Sequence, residues 1–443
     1  MRVLLLSLLL LGIAGCGDGS SRKVSLKSEA DPIAGLEQLG ATIGRNEQGE
    51  VIKVGLDSTE VSDAGVSWEH HLLKTDGTAV ADAGREHFAW AHHVFTTHGT
   101  RVINASLRRL KGMAHLKTLE LGNTGISDSG LLHLRGLTSL RTLRLMGCDN
   151  MTGKGLVHLG GMTRLETLDL GGTRITDQGL VHLKEMTQLR RLGIRSGEFW
   201  GGRGQITDAG MAHLEKLTNL QMLFLVEFNG KITDAGLVHL RGMTRLQSLS
   251  LHITHLTDAG LVHIKQMVNL ELLVLDSTQL TDAALVHINE MTKLQVLVLG
   301  LTQLTDAGLA HLQQMTRLQV LVLGGTRVTD EGLVHLQGLT NLHHLRLDDA
   351  HVSGTGLRHL TGLTNLKHLR LDGTQLTDDG LEHLKEMTRL ETLDLHGTGI
   401  TDAGLGPIQQ LTALQTLILT DTEITDAGVA ELQQALPNCK ITK

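Results

Sequence analysis

The chain has no tyrosine, and only 5 phenylalanines, 3 tryptophans, 3 cysteines and 3 prolines among its 443 residues. With so few rings, the core has to be built from many similar aliphatic layers. Cys148 and Cys439 lie far apart, which argues against a disulfide between them. Both read as small buried hydrophobes. The formal net charge is −7, with lysine and arginine spread along the chain. A nucleic-acid binder concentrates positive charge on one face, so no nucleic-acid partner is expected. A P-loop, a dinucleotide glycine fingerprint, a nucleophile elbow and a zinc signature are all missing. Neither an enzyme, a cofactor nor a metal site is therefore expected.

The first residues are a targeting segment. Arg2 is followed by the apolar stretch Val3 to Leu11, too short to span a bilayer as a stable helix. Ile13, Ala14, Gly15 and Cys16 come next. This order resembles a bacterial lipobox, which implies removal of residues 1–15 and lipidation of Cys16. Several acyl chains would hold the protein on a membrane at about 0.8 kcal/mol per buried CH₂. Residues 16–30 then form a lipidated cysteine and a flexible polar tether. The expected location is the bacterial cell envelope, with the protein facing the periplasm or the exterior. Past the targeting segment, no run is long and apolar enough to cross a membrane.

What the chain has in quantity is a repeat. Thr233, Thr257, Thr281, Thr305, Thr329, Ser353, Thr377, Thr401 and Thr425 open units spaced by 24 residues. Less regular starts at Ser62, Ile103, Ser127, Thr152, Thr176 and Thr207 bring the total to about fifteen. In the unit from Thr305, Leu321 and Leu323 alternate with Val320 and Val322, the period of a short strand. Leu309, Leu312, Met315 and Leu318 recur at three-residue steps, which predicts one face of a helix. Thr305 is placed as an N-cap and Asp306 in the first turn. No unit can bury its leucines alone, so neighbours must cover them.

The order Leu318-x-x-Leu321-x-Leu323 and, after two more residues, Thr326 resembles the leucine-rich repeat family. The 24-residue unit with Thr-Asp-x-Gly-Leu is similar to its ribonuclease-inhibitor-like branch, including bacterial GALA-type repeats. The resemblance covers roughly residues 31 to 443. It implies an α/β fold, a right-handed leucine-rich-repeat solenoid with parallel strands on the concave face and helices on the convex face. Residues 31–102 read as degenerate repeats with an insertion, and 103–443 as regular repeats with a C-terminal cap. The family often has Asn or Cys where this chain has Thr173, Thr278, Thr302, Thr326, Thr374, Thr398 and Thr422. A hydroxyl there can bond neighbouring backbone as a threonine ladder. The resemblance also implies partners, usually proteins, on the concave face.

The breaks in the repeat gather the aromatic residues. Trp68, Phe88, Trp90 and Phe95 lie in the first, with His70, His71, His87, His92, His93 and His98. That insertion reads either as a degenerate repeat or as a recognition loop. Phe199, Trp200 and Arg203 lie in a glycine-rich loop after a strand, at the expected rim of the concave face. Met222, Phe224 and Val226 are expected to point into the hollow, with Phe228 in the adjacent turn. Leu272, Val274, Val296, Val298, Val320 and Val322 predict a contiguous apolar strip, a mark of an interaction site. The next units switch to His344, Arg346 and Asp348, then His368, Arg370 and Asp372, then Thr392, Asp394 and His396, which predicts a charged strip beside it. Eleven further histidines, among them His239, His263 and His335, are expected to pack between helices against the valine of the neighbouring unit.

Three readings follow. The first is a lipid-tethered scaffold that binds a protein or peptide on the concave face. The second is an envelope spacer without a specific ligand. The third is carbohydrate binding through the aromatic insertions.

Overall fold

The computed structural model describes residues 42–55, 104–196, 206–227, 231–252 and 254–443. The described residues form one sheet of sixteen strands in strict chain order. The strands are β1 (Thr42–Arg45), β2 (Val51–Gly55), β3 (Thr118–Glu120), β4 (Thr142–Arg144), β5 (Thr167–Asp169) and β6 (Arg191–Ser196). The central ones are β7 (Met222–Glu227), β8 (Ser248–Ser250), β9 (Leu272–Val274), β10 (Val296–Val298) and β11 (Val320–Val322). The last are β12 (His344–Arg346), β13 (His368–Arg370), β14 (Thr392–Asp394), β15 (Thr416–Ile418) and β16 (Lys440–Thr442). Every pair from β2 onward is parallel, while β1 and β2 form an antiparallel hairpin at the N-terminal edge. That hairpin, within the segment read as degenerate repeats, has no counterpart in the repeat pattern. The insertion loop after Gly55 lies outside the described residues, as do residues 1–41 with Cys16.

Each strand sends its central leucine into the core. Leu273, Leu297, Leu321, Leu345 and Leu369 stack in register and are fully buried. The return segment is shorter and tighter than an ordinary helix. In the unit from Thr305 it consists of α-helical Asp306–Leu309 and 3₁₀-helical Ala310–Leu312. In the next unit Gly332–Leu336 is entirely 3₁₀. Leucines three apart eclipse one another in a 3₁₀ helix, so the three-residue steps matched that geometry rather than an α-helical face. Met315 and Leu318 lie beyond the helical residues, yet both are buried.

The Thr-Asp pair fastens one unit to the next. Asp282 accepts from the Thr305 backbone N–H at 2.8 Å through Oδ1 and from its hydroxyl at 2.6 Å through Oδ2. Asp234 and Thr257, Asp258 and Thr281, and Asp306 and Thr329 repeat the arrangement. Thr305 thus sits at the N-cap position, but its hydroxyl serves the preceding unit and caps nothing. The glycine of Thr-Asp-x-Gly makes room for this staple: a Cβ on Gly308 would lie 2.5 Å from Asp282 Oδ1. Ala284 takes that place in one unit and Asp258 still bonds Thr281, so a methyl group can be accommodated. Gly354 stands where the aspartate would be and cannot staple Thr377. There the backbones meet directly, a Cβ on Gly354 lying 2.5 Å from Gly380 Cα.

The threonines after each strand bond within their own unit. Thr278, Thr302, Thr326 and Thr374 donate to the carbonyl three residues back at 2.6–2.7 Å. Cys148 stands in for this residue and reaches Leu121 O of the preceding unit at 3.2 Å. Cys148 and Cys439 are both buried, and neither is in a disulfide. The valine–histidine packing expected on the convex side is not formed. Val238, Val286 and Val334 are exposed. The histidine rings instead meet a polar residue of the previous unit: Arg241 donates to His263 Nδ1 at 3.0 Å, and the Gln337 amide contacts His359 Nδ1 at 2.7 Å. The residue directly after the buried leucine is close enough to reach the next ring, whereas the valine turns out to solvent.

Candidate functional site: the concave strand face

Flanking each buried central leucine are two side chains on the opposite face of the strand. These form rows along the sheet, because the strands are in register. Leu272, Val296 and Val320 make one row, and Val274, Val298 and Val322 the other. They cluster with one another, separately from the main core. The strip expected to be exposed is 3–9% accessible at Leu272, Val274, Val296, Val298 and Val320. Strands lie about 4.8 Å apart, so β-branched side chains directly abreast cover each other. The result is a smooth apolar floor without projecting anchors.

Met222 and Phe224 share this face two strands away and are also nearly buried. Gly193 is in register with Phe224 on the N-terminal side. Ser248 and Ser250 separate Met222 and Phe224 from the valine floor. Val226 belongs to β7 and pairs with Arg195. Phe199, Trp200 and Arg203, placed at the rim by sequence, lie outside the described residues, as do Trp68, Phe88, Trp90, Phe95, Phe228 and the histidines of the first insertion.

Beyond the valines the same rows change chemistry. His344 follows Val320 and His368 follows His344; Arg346 follows Val322, then Arg370, then Asp394. The charged strip is brought together as the spacing predicts. Arg346 donates to both carboxylate oxygens of Asp348, at 2.9 and 3.0 Å. Arg370 lies 3.1 Å from Asp372 and 3.3 Å from Asp394. Burial and the neighbouring Asp372 charge hold the Asp394 carboxyl above its usual range, against a hydrogen bond from the His396 N–H and the pull of Arg370. Asp349 is raised likewise by burial and by Asp348 and Asp372. Burial works against the Arg370 charge, but Asp372 and Asp394 outweigh it and hold the guanidinium above its usual range. Two guanidiniums therefore serve four carboxylates here.

Removing Arg370 should accordingly be costly at neutral pH. Arg370→Met is expected to lose about 2 kcal/mol at pH 7, since Asp372 and Asp394 are left facing each other. Asp394 has a raised folded-state pKa, so its contribution is present at acid pH and lost as pH rises through that value. The Arg370→Met deficit should therefore shrink between pH 7 and pH 4 in chemical unfolding. A deficit independent of pH would mean that Arg370 acts by packing alone.

Two charge clusters on this face escaped the sequence reading. Glu120, 8% exposed, takes Lys53 at 2.9 Å and Arg144 at 2.8 Å from the strands on either side. His252 Nδ1 lies 2.6 Å from Asp276, beside the valine floor. Complementary polar side chains one repeat apart were the available signal: Glu120 and Arg144 are 24 residues apart, as are His252 and Asp276. Among the described residues no group of three or more His, Cys, Asp or Glu side chains could hold a metal ion. Among them, too, no helix is long and apolar enough to cross a membrane.

A family model described as leucine-rich repeat matches residues 112–134, 136–160, 162–183, 362–385, 387–408 and 410–432. The fold is similar to that of an internalin (inlF) from Listeria monocytogenes, with 26% identity over 70% of this chain and 82% of the other and a TM-score of 0.57. A leucine-rich-repeat protein of Leptospira interrogans shares the fold at 19% identity, covering 76% of this chain and 86% of its own, with a TM-score of 0.53. No curated protein matches the chain. The stacked in-register units, the matched repeats and the shared architecture give this chain the fold of a leucine-rich-repeat solenoid.

Proposed function

We propose that the protein is a lipid-anchored scaffold of the bacterial envelope that holds a protein or peptide along its concave face. The observation that carries this reading is the change of chemistry along one strand face. Six aliphatic side chains, from Leu272 to Val322, lie next to two paired arginines on a face the main core does not use. An extended segment with apolar and then charged side chains would find both in order. Anchoring rests on the lipobox-like sequence ending at Cys16, and envelope placement follows from it. The spacer reading draws support from one feature: the floor is self-covered and each arginine already has a carboxylate. Capture experiments separate the two. Full-length protein would be compared with a concave variant, Val298→Thr/Val322→Asp, and a convex control, Val286→Asp, each with a melting curve. The scaffold reading expects one binding species retained by wild type and control and lost by the folded concave variant. Identical capture by all three contradicts it.

A further inference from the structure

His344 is a polar side chain in an apolar place. It continues the row of Leu272, Val296 and Val320, is 2% exposed, and neither ring nitrogen has a hydrogen-bond partner among the described residues. His368 is beside it in register, 5% exposed, with ring centroids 5.3 Å apart and the planes tilted by 38°. Leaving buried donors and acceptors unmade is expensive, and a sheet row made only for packing would have continued with valine or leucine.

Charged and titratable groups surround the pair, Asp349 and His396 among them. The pair's own strands carry Arg346 on β12 and Arg370 on β13, with His343 and Lys367 directly before them. Lys367 is held by Glu391 at 3.1 Å. Asp394 comes from β14, and Asp348 and Asp372 from the turns that follow β12 and β13. Strand β11 supplies only Val320 and Val322 to this side. The carboxylates of the strip are engaged by Arg346 and Arg370.

We propose that the His344–His368 pair makes this face acid-sensitive: a proton added to the His344 ring forces β12 and β13 apart locally and dismantles the adjoining Arg346/Asp348 and Arg370/Asp372/Asp394 strip. A bound segment is then released as the pH falls. This rests on the concave face being the binding surface, although the device itself belongs to the unliganded chain. An imidazolium at His344 has no acceptor, almost no water and a second imidazole against it. Burial, then His368, Arg346 and Arg370, all push His344 well below its ordinary range. The ring's folded-state pKa lies below its unfolded value of 6.5, so its share of stability is complete above that value and is lost as pH falls below it. Asp394 and Asp349 are shifted upward and act with the opposite sign, adding stability as pH falls. Loss of local order on acidification therefore cannot come from those two carboxylates.

The test is amide hydrogen exchange of the full chain at pH 7.5 and pH 5.5, corrected for the intrinsic rate, without any ligand. Protection of residues 344–348 and 368–372, relative to β9 and β10, should fall at least tenfold at the lower pH. In His344→Leu/His368→Leu, whose leucines continue the row begun by Leu272, the ratio should stay constant and the melting temperature at pH 5.5 should exceed that of wild type. His344→Phe provides a single-site version of the same comparison. An unchanged ratio in wild type, or an equal fall in the leucine variant, overturns the proposal. Because no ligand is present, either result leaves the capture experiment at neutral pH as a separate test of the binding surface.

Discussion

Leu321→Ala should destabilise the protein by about 3 kcal/mol, whereas Val322→Asp, one residue away, should cost less than about 1 kcal/mol. Leu321 is fully buried between Leu297 and Leu345, and truncation leaves a cavity that stacked units cannot collapse without shifting their register. Val322 lies on the other face at the edge of the apolar floor and is only partly buried, so a carboxylate there keeps contact with water. Chemical unfolding of both variants, read by far-ultraviolet circular dichroism, checks the contrast. In a solenoid each unit touches only its neighbours, so the Leu321→Ala transition should also broaden as the array uncouples at that layer. Equal losses for the two substitutions would mean that the two strand faces are not distinct in the way described.

Asp282→Ala is the second large effect, expected at about 2 kcal/mol. It removes two charge-assisted hydrogen bonds to Thr305 and leaves a backbone N–H without its acceptor. Asp282→Asn should recover about half of this, since its amide oxygen still accepts from the backbone but its NH₂ cannot accept from the hydroxyl. Burial works against the charge of Asp330 in the equivalent staple, but hydrogen bonds from Ser353, Thr355 and Gly356 outweigh it and lower its pKa. That staple contributes at neutral pH and fades as pH falls through the depressed folded value. If Asp282→Ala melts like wild type, the aspartates belong to the helix dipole alone and do not link units.

The solenoid was readable because its signal is repeated and local. A leucine pattern with a period of 24 fixes strand order and register together, and β9 to β14 follow it without a shift. The charged strip was readable for the same reason, since in-register stacking turns a sequence interval into a neighbour. Burial of the valine floor was not readable from any one strand. It depends on the chains abreast, and an outward position of Val298 looks the same whether Val274 and Val322 or serines flank it. The Asp–Thr staple was missed because a first-turn aspartate already has a sufficient local explanation in the helix dipole. Its true partner, Thr305 for Asp282, lies 23 residues on, and only stacking brings the two together. The buried imidazoles of His344 and His368 were named correctly in place and wrongly in character: the sequence put them in a solvent-facing charged strip, and they are 2% and 5% exposed between strands in register.

The face of β9 to β14 pointing away from the main core is the proposed binding surface. Hydrogen-exchange footprinting of the full chain, with and without the species retained in the capture experiment, tests it directly at neutral pH. Exchange should slow in the strands and following turns of residues 272–276, 296–300, 320–324, 344–348 and 368–372, with the helical segments unchanged. Slowed exchange confined to the helical segments, such as 306–312 and 332–336, would contradict it and assign binding to the opposite side of the solenoid.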